Sequence, residues 1–550
     1  MDVLSPQRLS WAIGVVILTG LLEFWRRLHY HRSLSKNLPG PPRSYLFGHL
    51  ISMGKIVAKQ PKSAAPQTYS MHVKEAYGLG EWFCLDVWPL GPTILVTFLP
   101  EMMHEFTVKY SALKHPAVAE FMENFGGEGN LVSAEGATWK KWRSAFNPGF
   151  SASHLMAMVP ALVDQCAIFC KLMDDHAKKG DLFRMEPATT RLTVDIIAKV
   201  VMDHDLNSQT SSNDLVNAFI SQTRWQAIGA QFQPSELIDF RRPFVQRWNN
   251  YRMNRYIGRV LDERFADRRR QSDGKQQKHV IDLALTTYLK EVKGATGSNS
   301  KVDKMDPDFR AGAIANIKTF VFAGHDTTSS TICYCYNYLS KNPNMLAKIR
   351  AEHDSIFGSG PAAAAQAIKD DARLLNRLEY TTAVIKEVLR LQPPASSIRV
   401  GEEGFFIHDP TTGQAIHTKD LMLWPVDVGL HRSPLWGDPH IFRPERFLDP
   451  STNTSAYVPF SKGPRNCIGQ ELAMIETKVI LAMTVRSFDF EAAYKELGSQ
   501  ELRGDGSGYP GDVEGVQEMW GDEAYQIQLG TAKPREGMPC RLRRRKGVVG

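Results

Sequence analysis

Cysteine is scarce. Seven residues, Cys84, Cys166, Cys170, Cys333, Cys335, Cys467 and Cys540, are spread over 550 positions. So sparse and odd a set excludes a disulfide framework and suits reduced, mostly buried thiols. Cys166 and Cys170 stand i, i+4 on a helical stretch, but no second Cys/His pair lies nearby to complete a zinc-type site. Basic residues are not interleaved with aromatics in any patch, so no nucleic-acid surface is expected. The formal charge of +7 reads as a mildly basic surface, or one facing an anionic membrane or an acidic partner. Internal repeats are absent, and so is any flavin or nicotinamide motif. Long hydrophobic runs are almost absent as well, with one exception at the N-terminus.

That exception is LSWAIGVVILTGLLEFW, residues 9–25. Its length is near the lower limit for a helix that spans a bilayer. Weak charge precedes it (Arg8 against Asp2), whereas Arg26, Arg27, Arg32 and Lys36 follow. By the positive-inside rule the bulk of the chain then stays on the cytoplasmic side. No small-residue cleavage signal follows the run, which argues for a retained anchor over a removed signal peptide. NLPGPP, 37–42, stops any helix and stiffens the chain. The expected organisation is an anchor at 1–30, a basic, Pro-rich hinge at 31–45 and one large domain at 46–550. With 43% hydrophobic residues, that domain can bury a large core.

Helical periodicity dominates at 151–178, 187–203, 245–270, 310–340 and 378–391. Strand-like runs are short: 82–88, 93–98 and 405–409. Polar stretches at 293–306 and 498–512 read as loops. The fold class expected is mainly α with small β-sheet regions.

Four stretches carry chemistry. PFSKGPRNCIGQ, 459–470, sets Cys467 among Gly463, Arg465 and Gly469. The glycines permit tight turns and close backbone approach to a ligand. The run after Gly469 is helical, so Cys467 sits near a helix N-terminus that favours a thiolate. A thiolate without a second cysteine suits iron already held by a haem. In YTTAVIKEVLRLQPP, Glu387 and Arg390 share a helix face at i, i+3, and Arg446 of FRPERF offers a second guanidinium to Glu387. VFAGHDTTSS, 321–330, puts poor helix formers inside an apolar helical run. It predicts a local opening where Thr327 bonds a small ligand and Asp326 relays protons. In GATWKKWRSAF, Trp139 and Arg143 at i, i+4 can hold a carboxylate between them.

Together these stretches resemble the cytochrome P450 family of haem-thiolate monooxygenases, over roughly residues 38–548. Phe460-Ser-Lys-Gly463-Pro-Arg465-Asn-Cys467-Ile-Gly469 is similar to its haem signature, Glu387-Val-Leu-Arg390 to its ExxR pair, and Pro444-Glu445-Arg446-Phe447 to the meander that completes a triad. Ala323 to Thr328 resembles its oxygen-activation motif, and Trp139 to Arg143 its propionate pair. The resemblance implies the family's triangular fold behind a single N-terminal transmembrane helix. It implies haem b (iron protoporphyrin IX) with Cys467 as axial iron ligand. Phe460, Gly463 and Gly469 would shape the haem loop, and Trp139, Arg143, Arg399 and Arg465 would bind the propionates. Glu387, Arg390 and Arg446 become a structural triad, and Asp326 and Thr327 the route for protons to bound O2. A separate NADPH-dependent diflavin reductase would supply electrons, docking near Lys140, Lys141 and Lys462. Localisation would be the endoplasmic reticulum membrane, single-pass, facing the cytoplasm. His325 is expected to pack or join a proton network, not to ligate iron. The stretch 491–520 is longer than the family needs and has no role assigned.

By the same resemblance the pocket draws on 115–130, 316–324, 395–398 and 529–532. Phe121, Phe125, Phe320, Phe322, Ala323 and Ile398 make it apolar, which implies an apolar small-molecule substrate. The style of the sequence is similar to fungal enzymes of secondary metabolism. The alternatives are a reductase-independent haem-thiolate isomerase or dehydratase, and a non-catalytic haem sensor.

Overall fold

The longest periodic stretch becomes the longest helix. A computed structural model of the protein describes residues 6–545, apart from 62, 227–238, 271–278, 297–303, 359, 361, 504, 510 and 512. In it the central helix Pro307–Lys341 runs for 35 residues, about 52 Å at the usual rise. Asp306 starts it: its carboxylate accepts the Phe309 N–H at 2.9 Å, and Pro307 follows at the first helical position, where a missing N–H costs nothing. The helix Met185–Met202 packs along it, Ala152–Lys179 packs on Met185–Met202, and all three share one apolar core. Gly324 permits that closeness: a β-carbon there would lie 2.9 Å from Ile197 Cγ1.

The expected opening at 323–328 is not present. The α-helix runs unbroken through these residues. Its polar residues are accommodated inside the turns. The hydroxyls of Thr319, Thr327 and Thr331 each donate to the carbonyl four residues back, at 2.9, 2.8 and 3.0 Å, a bond that competes with water without breaking the helix.

Sheet is limited. One four-stranded sheet has the order β1 (Trp82–Asp86), β2 (Thr93–Thr97), β7 (Leu421–Pro425), β4 (Arg399–Val400), with β2 and β7 parallel and the outer pairs antiparallel. A second sheet orders β3 (Phe183–Arg184), β11 (Pro539–Arg544) and β8 (Phe488–Ala492). Two hairpins remain: β5 (Phe406–His408) with β6 (Ala415–His417), and β9 (Gln526–Leu529) with β10 (Thr531–Pro534). The mainly helical class with small sheets is therefore present. The loop expected at 293–306 begins later, since the helix Val280–Thr296 covers its first residues, and 297–303 lie outside the described residues.

The N-terminal helix Pro6–Leu34 exposes Trp11, Val15, Val16, Ile17, Leu18 and Leu22. It continues through 31–34, into the stretch expected to be a hinge. That stretch is fastened to the domain. Arg32 is buried, pairs with Asp86 at 2.5 Å and donates to the carbonyls of Tyr45 and Leu46 at 2.7 and 2.8 Å. The Cys84 N–H reaches the Pro39 carbonyl at 2.7 Å. A buried guanidinium must be paired, and here the pairing ties the end of the first helix to the β1 strand and the turn after it. Among the described residues, one helix, Ala152–Lys179, is long and apolar enough to cross a membrane. It buries Leu155, Val159, Leu162 and Phe169 in the main core, so it is a core helix.

Candidate active site

A cavity of about 1180 Å³ opens beside the central helix. This is at the upper end of small-molecule pockets. On one wall lies the loop before the helix Gln470–Thr484. Gly463 adopts φ +79°, and a β-carbon there would sit 2.3 Å from the Thr107 carbonyl oxygen, so a side chain is excluded on two counts. The turn brings the Cys467 N–H to the Phe460 carbonyl at 2.9 Å, and Gly469 caps the helix that follows. Cys467 and Phe460 both line the cavity. Cys467 is open to the cavity, but its depth within the protein still pushes the thiol up, against the N–H of Gly469 and the cations Arg143 and Lys114, which pull it down. The protein alone thus does not favour the thiolate that the helix terminus suggested. A coordinated metal ion would, because it deprotonates a thiol outright.

Along the rim of this wall cations outnumber anions. Arg143 donates to the Asn466 carbonyl and side-chain oxygens, both at 2.9 Å, bracing the residue before Cys467. Arg465 pairs with Glu135, donates to the Ala134 carbonyl at 2.7 Å and stacks its guanidinium 4.7 Å above the Trp139 ring. Arg399 is buried, and its Nη2 has no hydrogen-bond partner. Burial, with Arg465 beside it, draws Arg399 down to about 10. Lys114 is held well below its usual range by burial and by Arg399 and Arg465. The carboxylates at hand do not balance the set. Glu135 is shared between Arg465 and the Lys114 backbone N–H, and burial pushes Asp427 well up, towards its neutral form. Buried, mutually repelling guanidinium groups with a free N–H are a site for a ligand that brings carboxylates.

Behind the cysteine loop, Glu387, Arg390 and Arg446 meet. Arg390 forks onto Glu387 with two bonds of 2.8 Å, Arg446 adds one of 3.0 Å, and the Arg443 N–H adds one of 2.9 Å. The remaining guanidinium hydrogens go to backbone carbonyls of the meander: Pro439 and Ile441 from Arg390, Trp436 and Asp438 from Arg446. All three side chains are buried. One carboxylate thus fixes the long turn that leads into the cysteine loop.

Comparison with known proteins agrees with this geometry. A family model described as Cytochrome P450 matches residues 38–503. The chain is 36% identical to cytochrome P450 monooxygenase polC of Polytolypa hystricis, over 98% of this chain and 96% of that one. It is 36% identical to cytochrome P450 monooxygenase acrF of Aspergillus aculeatus, over 88% and 98%, and 25% identical to ptmG of Penicillium ochrochloron, over 93% and 91%.

The chain belongs to the cytochrome P450 family.

As a P450 monooxygenase it uses the family's haem-thiolate cofactor and O2. The residues present fit that group. Cys467 offers one sulfur to the cavity, and Arg143, Arg399, Arg465 and Lys114 offer the positive charge that two propionates would neutralise. The unpartnered Nη2 of Arg399 is the sharpest sign of the fit.

The opposite wall is the central helix. Phe320, Phe322, Ala323 and Thr327 line the cavity, with Phe121 and Ile398 facing them. Phe125 does not. It is fully buried behind the wall, stacked on Phe322 with ring centroids 3.9 Å apart, because the loop turns its ring into the core. Asp326 does not line the cavity either. Its Oδ1 pairs with Lys533 at 2.7 Å and its Oδ2 accepts the Thr531 N–H at 2.7 Å, so the carboxylate points at the β9–β10 hairpin. His325 is also off the wall: its Nδ1 donates to the Val321 carbonyl at 2.5 Å, and burial lowers its proton affinity. Sequence reasoning missed Lys114, Glu135 and Lys533. Each is a single charged residue in no motif, and nothing in its local sequence marks it.

Proposed function

We propose that this P450 is a membrane-anchored monooxygenase that inserts one oxygen atom of O2 into an apolar substrate, with electrons from NADPH through a separate diflavin reductase. The observation that supports this most directly is the convergence of Cys467, Lys114, Arg143, Arg465 and Thr327 on one cavity, with Arg399 buried next to Arg465. Haem bound there supplies the activation of oxygen, and the thiolate favours O–O cleavage. The protein's own residues do the rest. Cys467 holds the iron, with Arg143 bracing its loop through Asn466 and the Glu387–Arg390–Arg446 triad bracing the turn before it. Trp139, Arg143, Arg399 and Arg465 hold the propionates. Phe121, Phe320, Phe322 and Ile398 exclude water and orient an apolar body. The Thr327 hydroxyl donates to Ala323 in the resting state. Turned towards the cavity, which it lines, it could hydrogen-bond a small ligand there and pass it a proton. Asp326 relays that proton to Thr327, its carboxylate first taking one up as it lets go of Lys533.

The exposed apolar face of Pro6–Leu34 acts as a single-pass anchor in the endoplasmic reticulum membrane, with the catalytic domain on the cytoplasmic side. Lys140 and Lys141 are exposed on the propionate helix and suit an acidic reductase face. Lys462 contributes less, since it donates to the Ser455 carbonyl at 2.6 Å. The fungal sources of the related monooxygenases support a place in fungal secondary metabolism. The test is the absorption spectrum of the dithionite-reduced, carbon-monoxide-bound protein. A strongly red-shifted Soret band is expected. A band like that of a histidine-ligated haem would remove Cys467 from the iron and the monooxygenase reading with it.

A further inference from the structure

The Lys533 ammonium faces two carboxylates, not one. It bonds Glu186 Oε1 at 2.6 Å and Asp326 Oδ1 at 2.7 Å. All three residues are 5% exposed or less. Glu186 opens the helix Met185–Met202 and is itself held from two sides. The Thr190 hydroxyl donates to Oε1 at 2.8 Å, and the Tyr509 hydroxyl donates to Oε2 at 3.0 Å. Tyr509 belongs to the long stretch at 491–520 that had no role. That stretch is fixed at this point: Arg184 pairs with Asp505, donates to the Leu502 carbonyl at 2.9 Å and lies 5.6 Å from the Tyr509 ring centroid.

We propose that Glu186, held in place by Tyr509, is a positioning residue that sets how readily Asp326 takes up and gives away a proton, by competing with it for Lys533. This rests on the reading of Asp326 as the proton donor to Thr327. The physics is a count of nearby charge. An ammonium shared with a second carboxylate attracts Asp326 less than one committed to it alone. With Glu186 charged, Asp326 can leave the pair and be protonated. With Glu186 neutralised, Lys533 locks Asp326 as a carboxylate. The other groups facing this cluster do not upset the sign. His325 Nε2 lies 3.9 Å from Asp326 Oδ1, and burial favours its neutral form. Cys333, at the same cluster, is kept protonated by burial, and so is Tyr509.

The experiment follows the carboxyl stretching band of Asp326 by infrared difference spectroscopy, native minus Asp326→Asn, as pH is varied in the full-length haem-loaded protein. Glu186→Gln is expected to move the band's titration to lower pH by about one unit, and Lys533→Met to move it up by at least as much. The double variant Glu186→Gln/Lys533→Met removes a buried pair together, which proteins tolerate better than losing one partner, and is expected to bring the titration back towards the native value. A purely structural role gives no opposed shifts and no return. Shifts of one sign in both single variants, or no shift in any of the three, would overturn the proposal. A separate readout tests the relay itself: hydrogen peroxide released per NADPH consumed with a diflavin reductase. Glu186→Gln is expected to raise it several-fold, as is Asp326→Asn. If Asp326→Asn leaves it unchanged, the relay reading fails. If Asp326→Asn raises it and Glu186→Gln does not, the relay stands and the role of Glu186 falls.

Discussion

At the scale of the residue, one carboxylate carries a large share of the site's geometry. Glu387 accepts from Arg390, Arg446 and the Arg443 backbone, and those two arginines spend their other hydrogens on the carbonyls of the meander. The triad would be a poor bargain if stability were its purpose, because buried ion pairs cost nearly as much desolvation as they return in attraction. What it supplies is a unique path for a long turn without regular structure. Arg446→Met should therefore do more than remove one bond. It leaves Glu387 under-compensated in a fully buried place and takes from the Trp436 carbonyl the Arg446 N–H it accepts. The expected cost is about 3–5 kcal/mol, read as a lower urea midpoint with an unchanged slope. Weaker haem retention should accompany it. A midpoint within error of the native protein would mean that the meander holds its path unaided.

At the scale of the element, legibility followed locality. The central helix was readable because its period, its Asp306 cap and its Pro307 start all lie within the stretch itself. Asp306→Ala should cost about 1 kcal/mol of stability, and Asp306→Asn much less, since the amide oxygen can still accept from Phe309. A larger loss on Asp306→Asn than on Asp306→Ala would show that the charge, not the cap, matters there. The β9–β10 hairpin, β8 and β11 were not expected. QIQL and TAKP alternate polar with apolar residues, but over only four positions each, which is too short to mark a strand, and β10 is buried on both sides despite its polar residues. The same rule separates the site residues. Gly463, Arg465 and Cys467 lie within one loop, and Glu387 and Arg390 within one turn, so spacing alone brings them together. Lys114, Glu135, Glu186 and Lys533 reach their partners through the tertiary fold, and no local pattern marks them. Phe125 and Asp326 were read as facing the cavity, but the direction of a side chain on a curved wall depends on what packs behind it. For Phe125 that is Phe322, and for Asp326 it is Lys533.

At the scale of the whole molecule, burial of titratable groups couples stability to pH in two opposed ways. Several histidines are buried in the neutral form. His49, accepting the Asp86 N–H at 2.8 Å, is lowered to about 4 by burial. His353, bonded to the Thr381 hydroxyl at 2.8 Å, is lowered to about 3, with Arg486 adding to burial. For such a group the unfolded chain takes up a proton below pH 6.5 while the folded one does not. Stability present above that pH is then lost as pH falls towards the folded value. Buried carboxyls act the other way. Burial pushes Glu476 and Asp427 well up, so the folded protein binds those protons first and gains stability from them as pH falls. The total pH profile therefore mixes both signs, and a difference between two proteins isolates one group. His353→Gln keeps a polar partner for Thr381 but cannot titrate. Above pH 7 the variant should be less stable than the native protein by a constant amount. Below pH 6.5 that gap should close by about 1.4 kcal/mol for each pH unit, down towards about pH 3, because the native protein holds a histidine it cannot charge. Urea midpoints of both proteins at pH 7.5, 6 and 5 measure it. A gap that stays constant across the three would mean that His353 binds its proton equally well in the folded and unfolded chains, and that its burial next to Arg486 carries no electrostatic cost.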